Sequence, residues 1–89
     1  MRSQAEKDDL ASRLSKIEGQ VRGLARMIDE DRYCVDILIQ IAAVRSALNR
    51  VAMHLLESHT RGCVARALAA NEGEAAVEEL IQVMEKFTK

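Results

Sequence analysis

The chain has 89 residues, a formal net charge of −1, no proline, four glycines and two aromatic residues, Tyr33 and Phe87. This length allows one small domain, 1–89, and excludes a large buried core, so association between copies is a natural source of stability. The composition favours helices over strands. No apolar run is long enough to span a membrane, and the N-terminus lacks the apolar stretch of a secretory signal. We therefore expect an all-α protein of the cytoplasm.

The first predicted helix carries a narrow apolar stripe. Its positions step by four and three residues, the spacing of a coiled-coil seam, and they are Leu10, Leu14, Ile17, Val21, Leu24 and Ile28. Asp8 or Asp9 would supply negative charge or a cap near the N-terminal end. The acidic cluster 29–31 predicts the turn into the next helix, with Asp31 as the N-cap of that helix.

The second predicted helix is the longest and the most apolar. One stripe repeats the same spacing at Ile37, Ile41, Val44, Leu48, Val51 and Leu55. A second stripe consists of Leu38, Ala42, Ala52 and Leu56. A helix that is apolar on two sides packs between neighbours. Good helix formers continue past Gly62, so we predict one continuous helix over 33–70, with Asn71 and Gly73 as its stop signal.

The third predicted helix runs from about Glu74 to Phe87. Its apolar positions are Val77, Leu80, Met84 and Phe87. Three glutamates near its start suit the positive end of the helix dipole. Charge is uneven along the chain, because residues 1–66 hold 11 basic and 9 acidic groups whereas residues 67–89 hold 2 and 5. The three segments together predict a three-helix, all-α protomer.

Two cysteines and one histidine stand near the ends of the second predicted helix. His59 and Cys63 are four residues apart and would lie on one face of it. Cys34 precedes His59 by 25 residues, which is roughly 38 Å along an unbroken α-helix. The three residues therefore cannot meet within one chain. A second chain, packed antiparallel about a two-fold axis near residues 47–48, would bring Cys34 of one copy beside His59 and Cys63 of the other.

Two thiolates and one imidazole form a ligand set for a soft metal. Cysteines in a reducing compartment argue against a structural disulfide and toward metal or thiol chemistry. Thiolates favour Cu(I), which accepts three ligands, and Zn(II) completed by water or a carboxylate is the second assignment. The spacing matches none of the usual zinc patterns, and cysteine is common core filler, so plain packing roles stay open. His54 has no cysteine at helical spacing and is interpreted as structural.

Three stretches carry a resemblance to a known family, namely RLSKIEGQVRGLARMI (13–28), YCVDILIQIAAVRSALNRVA (33–52) and SHTRGC (58–63). Together they resemble the copper-sensitive operon repressor (CsoR-type) family, which is grouped with nickel/cobalt and formaldehyde sensors. The resemblance extends from about residue 8 to the C-terminus. It implies helical protomers that pair as an antiparallel four-helix-bundle dimer, and two dimers that form a homotetramer. It also implies a cytoplasmic transcriptional repressor without a helix-turn-helix.

The resemblance also assigns roles to single residues. Copper sensors of the family take one cysteine from one protomer and a histidine and a cysteine from the other, and these positions fall on Cys34, His59 and Cys63. The family's tyrosine and glutamate beside the metal fall on Tyr33 and Glu79, where they would orient the imidazole through its free ring nitrogen. Packing at the helix start is the alternative role for Tyr33, and an exposed helix charge is the alternative for Glu79.

The donor set separates the branches of the family. Formaldehyde sensors generally lack a cysteine at the position of Cys63. Nickel/cobalt sensors usually carry histidine there and an extra N-terminal ligand, which the stretch MRSQAE does not offer. Persulfide sensors keep both cysteines and lack the histidine. The three donors together indicate Cu(I), and a thiol- or persulfide-sensing repressor, in which Cys34 and Cys63 of two protomers would bridge, is the alternative.

The family's DNA contacts fall on basic residues of the first two helices, Arg13, Lys16 and Arg50. Further residues that would extend this surface are Arg22, Arg26 and Arg45. Guanidinium groups suit phosphates, although an ion pair with Glu18 one turn away is an equal alternative for Arg22. No base-reading element is visible, so DNA shape would contribute to recognition. We predict that the apo tetramer binds double-stranded operator DNA and releases it when Cu(I) binds.

Two other classes of protein are weaker interpretations. A plain helical oligomerisation module would leave both cysteines without any ligand to bind. An enzyme would need a Ser/His/Asp set, a phosphate loop or a paired-carboxylate cleft, and none is visible. The sequence therefore predicts a regulator and not an enzyme.

Overall fold

The structure, a computed structural model, describes residues 2–87 with the exception of the side chain of Val64. Its helices in chain order are α1 (Gln4–Asp29), α2 (Cys34–His59), α3 (Ala65–Ala69) and α4 (Gly73–Phe87). A π-helical turn, Thr60–Val64, lies between α2 and α3. The described residues contain no strand, which confirms the all-α prediction. Within the same range, no helix combines the length and the apolar character that crossing a bilayer requires.

The second predicted helix is interrupted where the prediction made it continuous. The α-helical hydrogen bonding of α2 ends at His59, the π turn follows, and α-helix resumes at Ala65. A π turn closes hydrogen bonds from residue i to i+5 and forms as an insertion within α-helices. Gly62 lies inside this turn, where its missing side chain lowers helix stability by about 1 kcal/mol. The prediction of unbroken α-helix over 33–70 is therefore wrong at this turn.

Helix α1 begins earlier than its apolar stripe suggested. Ser3 is its N-cap, and the Ser3 hydroxyl accepts a hydrogen bond from the backbone N–H of Glu6 at 3.1 Å. Asp8 and Asp9 therefore do not cap the helix, and of the two roles predicted for them the cap was wrong. The reason is local, because the Ser3 hydroxyl satisfies one of the free N–H groups of the first turn.

Two turns end helices in the same way. After α1, the N–H of Asp31 bonds to the carbonyl of Ile28 and the N–H of Arg32 bonds to the carbonyl of Met27. After α3, the same pattern recurs around Asn71. Asp31 and Asn71 both have positive φ, 51° and 64°. This is the Schellman arrangement with a left-handed residue, which Asp and Asn tolerate.

Of the two predictions made for these turns, the one for Asn71 is confirmed and the one for Asp31 is wrong. Asn71 ends its helix as expected. Asp31 is not the N-cap of α2, because that helix begins three residues later at Cys34 and Asp31 belongs to the C-terminal cap of α1. The prediction of a turn at the acidic cluster 29–31 is confirmed. The prediction that Asp31 is an N-cap is wrong.

The described chain divides into two compact units, 2–54 and 55–87. In the first unit the buried side chains are Leu10, Ile17, Val44 and Val51. They form two pairs spaced by seven residues, one on α1 and one on α2, which is the coiled-coil spacing of the predicted seams. Other members of those seams, such as Leu14 and Leu48, are exposed in the single chain.

The second unit contains the end of α2, the π turn, α3 and α4. Helix α4 packs against the π turn and α3. Gly73 permits the closest part of this packing, because a Cβ atom at that position would overlap the side chain of Leu68. No described side chain of α4 is buried, and its apolar face, which includes Val77, Ile81 and Phe87, is exposed.

Candidate metal centre and basic groove

Cys34 is the first residue of α2. Its thiol is free and exposed. The preceding residue, Tyr33, is also exposed, and its backbone carbonyl accepts hydrogen bonds from the N–H groups of Asp36 and Ile37 at 3.0 and 3.3 Å. These bonds form the first turn of α2 and hold Cys34 at its N-terminal end.

His59 and Cys63 lie on either side of the junction between α2 and the π turn. His59 is the last residue of α2 and is half-buried, whereas Cys63 lies within the π turn as a free, exposed thiol. The four-residue spacing that predicted a shared face assumed an α-helix across both residues, and the structure has a π turn at this point. The shared face of the imidazole and the thiol stays a prediction.

An arginine contacts the sulfur of Cys63. Arg66 Nη2, on α3, donates a hydrogen bond to Cys63 Sγ at 3.4 Å. Arg61 lies closer in sequence but pairs with Glu57, at 2.9 Å from Nη2 to Oε1. Arg66 was not among the site residues predicted from the sequence. The signal that could have found it is the i, i+3 spacing, at which side chains meet on a helix.

Glu79 lies exposed on α4. Among the described residues no hydrogen bond joins it to His59, and none joins the Tyr33 phenol to another group. No cluster of three cysteine, histidine, aspartate or glutamate side chains within 2–87 is arranged to hold a metal ion. The donor chemistry of Cys34, His59 and Cys63, two thiols and an imidazole, nevertheless fits a soft cation such as Cu(I).

The three basic residues predicted to contact DNA line one groove in the first unit. Arg13 and Lys16 come from α1 and Arg50 comes from α2, and the groove they share has a volume of about 320 Å³. Its remaining lining residues are Asp9, Ser12, Ile17, Gln20 and Ala47. Arg13 Nε donates to Asp9 Oδ2 at 2.9 Å. The structure therefore brings this predicted set together.

Arg22 does not line this groove. Its Nη1 atom lies 2.6 Å from Glu18 Oε1, in an exposed ion pair one turn apart on α1, like the pair of Arg13 and Asp9. This is the alternative that the sequence offered for Arg22. Such a pair contributes little to stability, roughly 0.3–0.5 kcal/mol, but it partly neutralises the guanidinium.

The comparisons with known proteins cover nearly the whole chain. A family model described as "Metal-sensitive transcriptional repressor" matches residues 6–86. The copper-sensing transcriptional repressor CsoR of Bacillus subtilis (strain 168) is 54% identical over 88 residues, which cover 99% of this chain and 87% of that protein.

Two solved structures are similar along the full chain. The crystal structure of the copper-sensing repressor CsoR with Cu(I) from Geobacillus thermodenitrificans NG80-2 has a TM-score of 0.94 at 45% identity, and the match covers 100% of this chain and 93% of that one. The nickel-responsive transcriptional regulator InrS has a TM-score of 0.79 at 42% identity, with 98% of each chain covered. Copper- and nickel-responsive regulators therefore share this fold.

Proposed function

The chain belongs to the family of metal-sensitive transcriptional repressors, and from this premise we propose that it is a Cu(I)-responsive repressor. Repression of transcription requires DNA binding, so the chain is a DNA-binding regulator and not an enzyme. In the proposed cycle the metal-free protein binds operator DNA and releases it when Cu(I) binds. The metal site consists of Cys34 of one protomer together with His59 and Cys63 of its partner.

The observation that carries this proposal is the unbroken α-helical run of α2 from Cys34 to His59. Twenty-five residue steps of an α-helix have a length of roughly 38 Å, whereas a metal–sulfur bond is about 2.3 Å long. Donors at the two ends of one such helix require two copies of the chain. Antiparallel pairing of α2 about a two-fold axis near residues 47–48 supplies them and forms two identical sites.

The exposed apolar side chains of α2 support that pairing. Leu38, Ile39 and Met53 are 57%, 58% and 62% exposed in the single chain. Removing apolar surface of this kind from water contributes about 25 cal/mol per Å². A small domain with four buried side chains among its described residues gains stability from such an interface. We propose an antiparallel four-helix-bundle dimer, and a tetramer formed by two such dimers.

The donor types support Cu(I) as the inducer. Thiolates are soft ligands that favour Cu(I), whereas Ni(II) is typically held by nitrogen and oxygen ligands in tetragonal sites. Relatives and a solved neighbour are named as copper-sensing repressors, and the neighbour was crystallised with Cu(I). Tyr33 and Glu79 would orient the His59 imidazole through the ring nitrogen that does not face the metal.

The groove residues Arg13, Lys16 and Arg50 support the DNA-binding part of the proposal. Each guanidinium or ammonium group that contacts a phosphate releases condensed counterions, which supplies sequence-independent affinity. A tetramer repeats the groove in every protomer and so presents a broad basic surface. Metal binding and DNA binding are then coupled negatively, and each ligand must weaken the other by the same factor.

Fluorescence anisotropy tests the proposal directly. A labelled duplex, selected by the metal-free protein from a random-sequence pool, is titrated with protein in the absence and the presence of one Cu(I) per protomer. We expect Cu(I) to weaken DNA binding about tenfold or more, within the usual range of allosteric coupling. Unchanged DNA affinity of the fully loaded protein would reject the copper switch.

A thiol-sensing repressor is the second candidate function. It is favoured by one observation, that Cys34 and Cys63 are both free and exposed. Polysulfide would oxidise the two thiols of paired protomers and would itself be reduced, leaving a disulfide between Cys34 and the partner's Cys63. Intact-mass spectrometry after polysulfide treatment would detect this covalent dimer, and unmodified thiols together with tight Cu(I) binding would exclude it.

A further inference from the structure

Arg66 is a charged residue that contacts a proposed metal donor, the sulfur of Cys63. Its Nη2 donates to Cys63 Sγ at 3.4 Å, from the first turn of α3. The neighbouring Arg61 instead directs its guanidinium to Glu57. A thiolate sulfur has several lone pairs, so it can bind a metal ion and still accept this hydrogen bond. The positive charge of Arg66 therefore stays beside the sulfur in the loaded site.

The net charge of the loaded site depends on the metal. The proposed ligands are two thiolates and one neutral imidazole, because metal ligands bind in their deprotonated forms. With Cu(I) the set has a net charge of −1, and with Zn(II) whose fourth ligand is water the net charge is zero. A neighbouring cation is attracted to the first complex and interacts weakly with the second.

We infer that Arg66 sets the charge specificity of this site by favouring a monovalent ion over a divalent one on the same ligands. This inference rests on the proposed function. Arg66 and Cys63 are both exposed, so water screens the attraction and the effect lies at the low end of the Coulomb range, about three- to fivefold in the ratio of affinities. The guanidinium thus favours Cu(I) over a divalent ion because of the charge of the complex, and the thiolates favour Cu(I) because they are soft ligands.

The test compares two metals in three variants of the full chain. Arg66→Gln removes the charge and keeps a hydrogen-bond donor, Arg66→Lys keeps the charge, and Arg61→Gln is the matched control that removes a guanidinium paired with Glu57. Cu(I) affinity is measured by competition with bathocuproine disulfonate, and Zn(II) affinity by competition with a zinc-binding dye. Circular dichroism melts verify that each variant is folded.

We expect Arg66→Gln to lower the ratio of Cu(I) to Zn(II) affinity by about three- to fivefold, because the charge of the metal-free thiols cancels in that ratio. Arg66→Lys should retain most of the wild-type ratio of Cu(I) to Zn(II) affinity, and Arg61→Gln should leave it unchanged. Raising the salt concentration should reduce the difference between the wild type and Arg66→Gln, since salt screens exposed charges.

Two results would overturn the inference. Equal changes for Cu(I) and Zn(II) in Arg66→Gln would assign Arg66 to positioning Cys63 and not to charge selection, and unchanged affinities for both metals would remove its role altogether. Both leave the proposed function intact if the wild type binds Cu(I) with a copper–thiolate charge-transfer band. A wild type without that band overturns the proposed function, and the inference with it.

Discussion

The N-terminal unit, 2–54, and the C-terminal unit, 55–87, differ in burial and in charge. The four buried side chains of the described residues all belong to the N-terminal unit, and its groove carries two arginines and a lysine. The C-terminal unit buries none of its described side chains, and α4 contains four glutamates and one lysine. One unit has a small core of its own, and the other depends on further packing.

This difference suits a molecule that converts metal binding into a change of DNA affinity. Segments with little buried surface open and rearrange at low free-energy cost, and moving parts of allosteric proteins come from such segments. Two of the proposed metal ligands, His59 and Cys63, lie in the unit without a core, whereas Arg13, Lys16 and Arg50 lie in the unit with one. We infer that the C-terminal unit supplies two of the three metal ligands, and that the N-terminal unit supplies Cys34 and the DNA contacts.

The largest expected effect is on Cu(I) affinity and concerns Cys63 in the C-terminal unit. Cys63→Ser should lower Cu(I) affinity by more than about a hundredfold, because loss of a direct thiolate ligand exceeds the 10- to 100-fold cost of changing groups around a site. DNA affinity of the metal-free protein should stay unchanged. Chelator competition and anisotropy measure the two quantities. His54→Ala is the matched control, and a similar loss of Cu(I) affinity in that variant would contradict the assignment.

The second prediction compares the cores of the two units. Ile17 is 6% exposed and Ile81 is 46% exposed. Ile17→Ala should lower the free energy of unfolding by about 2–4 kcal/mol, since it leaves a cavity. Ile81→Ala should cost less than about 0.5 kcal/mol in dilute protein.

Urea unfolding at several protein concentrations provides the measurement for this comparison. If α4 takes part in association, the cost of Ile81→Ala should rise with protein concentration. Equal costs for both variants in dilute protein would show that the C-terminal unit has a core comparable to that of the N-terminal unit.

The third prediction compares the DNA affinity lost on substituting an arginine that lines the groove, Arg50, with that lost on substituting one outside it, Arg22. Arg50→Ala should weaken DNA binding about tenfold and lower the slope of log affinity against log salt by about 1 for each phosphate that is no longer neutralised. Arg22→Ala should have a smaller effect, because Arg22 is paired with Glu18. Anisotropy titrations at several salt concentrations measure both. Equal effects of the two substitutions would remove the groove from the DNA interface.

The smallest expected effect compares one glycine from each unit. A Cβ atom at Gly23, within α1, would meet no atom within 4 Å, whereas one at Gly73 would overlap Leu68. Gly23→Ala should therefore raise the free energy of unfolding by about 0.5–1 kcal/mol. Gly73→Ala should give no such gain, because Leu68 must move. Thermal melts compare the variants, and equal stabilisation would contradict the packing of α3 against α4.

The helices and the seams could be predicted because their signals are local. Apolar residues at steps of three and four indicated α1, α2 and α4, and the buried pairs Leu10/Ile17 and Val44/Val51 lie on the predicted stripes. The residue types at 34, 59 and 63 were enough to suggest a soft-metal site. Helix ends were harder to predict, because Ser3 acts through one side-chain hydrogen bond that other nearby polar residues could have made, and Asp31 acts through a left-handed backbone conformation.

By itself the sequence determined the helical class, the order of the segments and the types of donor available, since periodicity, propensity and side-chain chemistry are properties of the residues. Only the tertiary structure decided which polar groups meet. It placed a π turn that contains Cys63 directly after His59, directed Arg66 to the Cys63 sulfur and Arg22 to Glu18, and placed Arg13, Lys16 and Arg50 along one groove. Such contacts depend on backbone path and side-chain direction in three dimensions, and spacing along the chain restricts these without determining them.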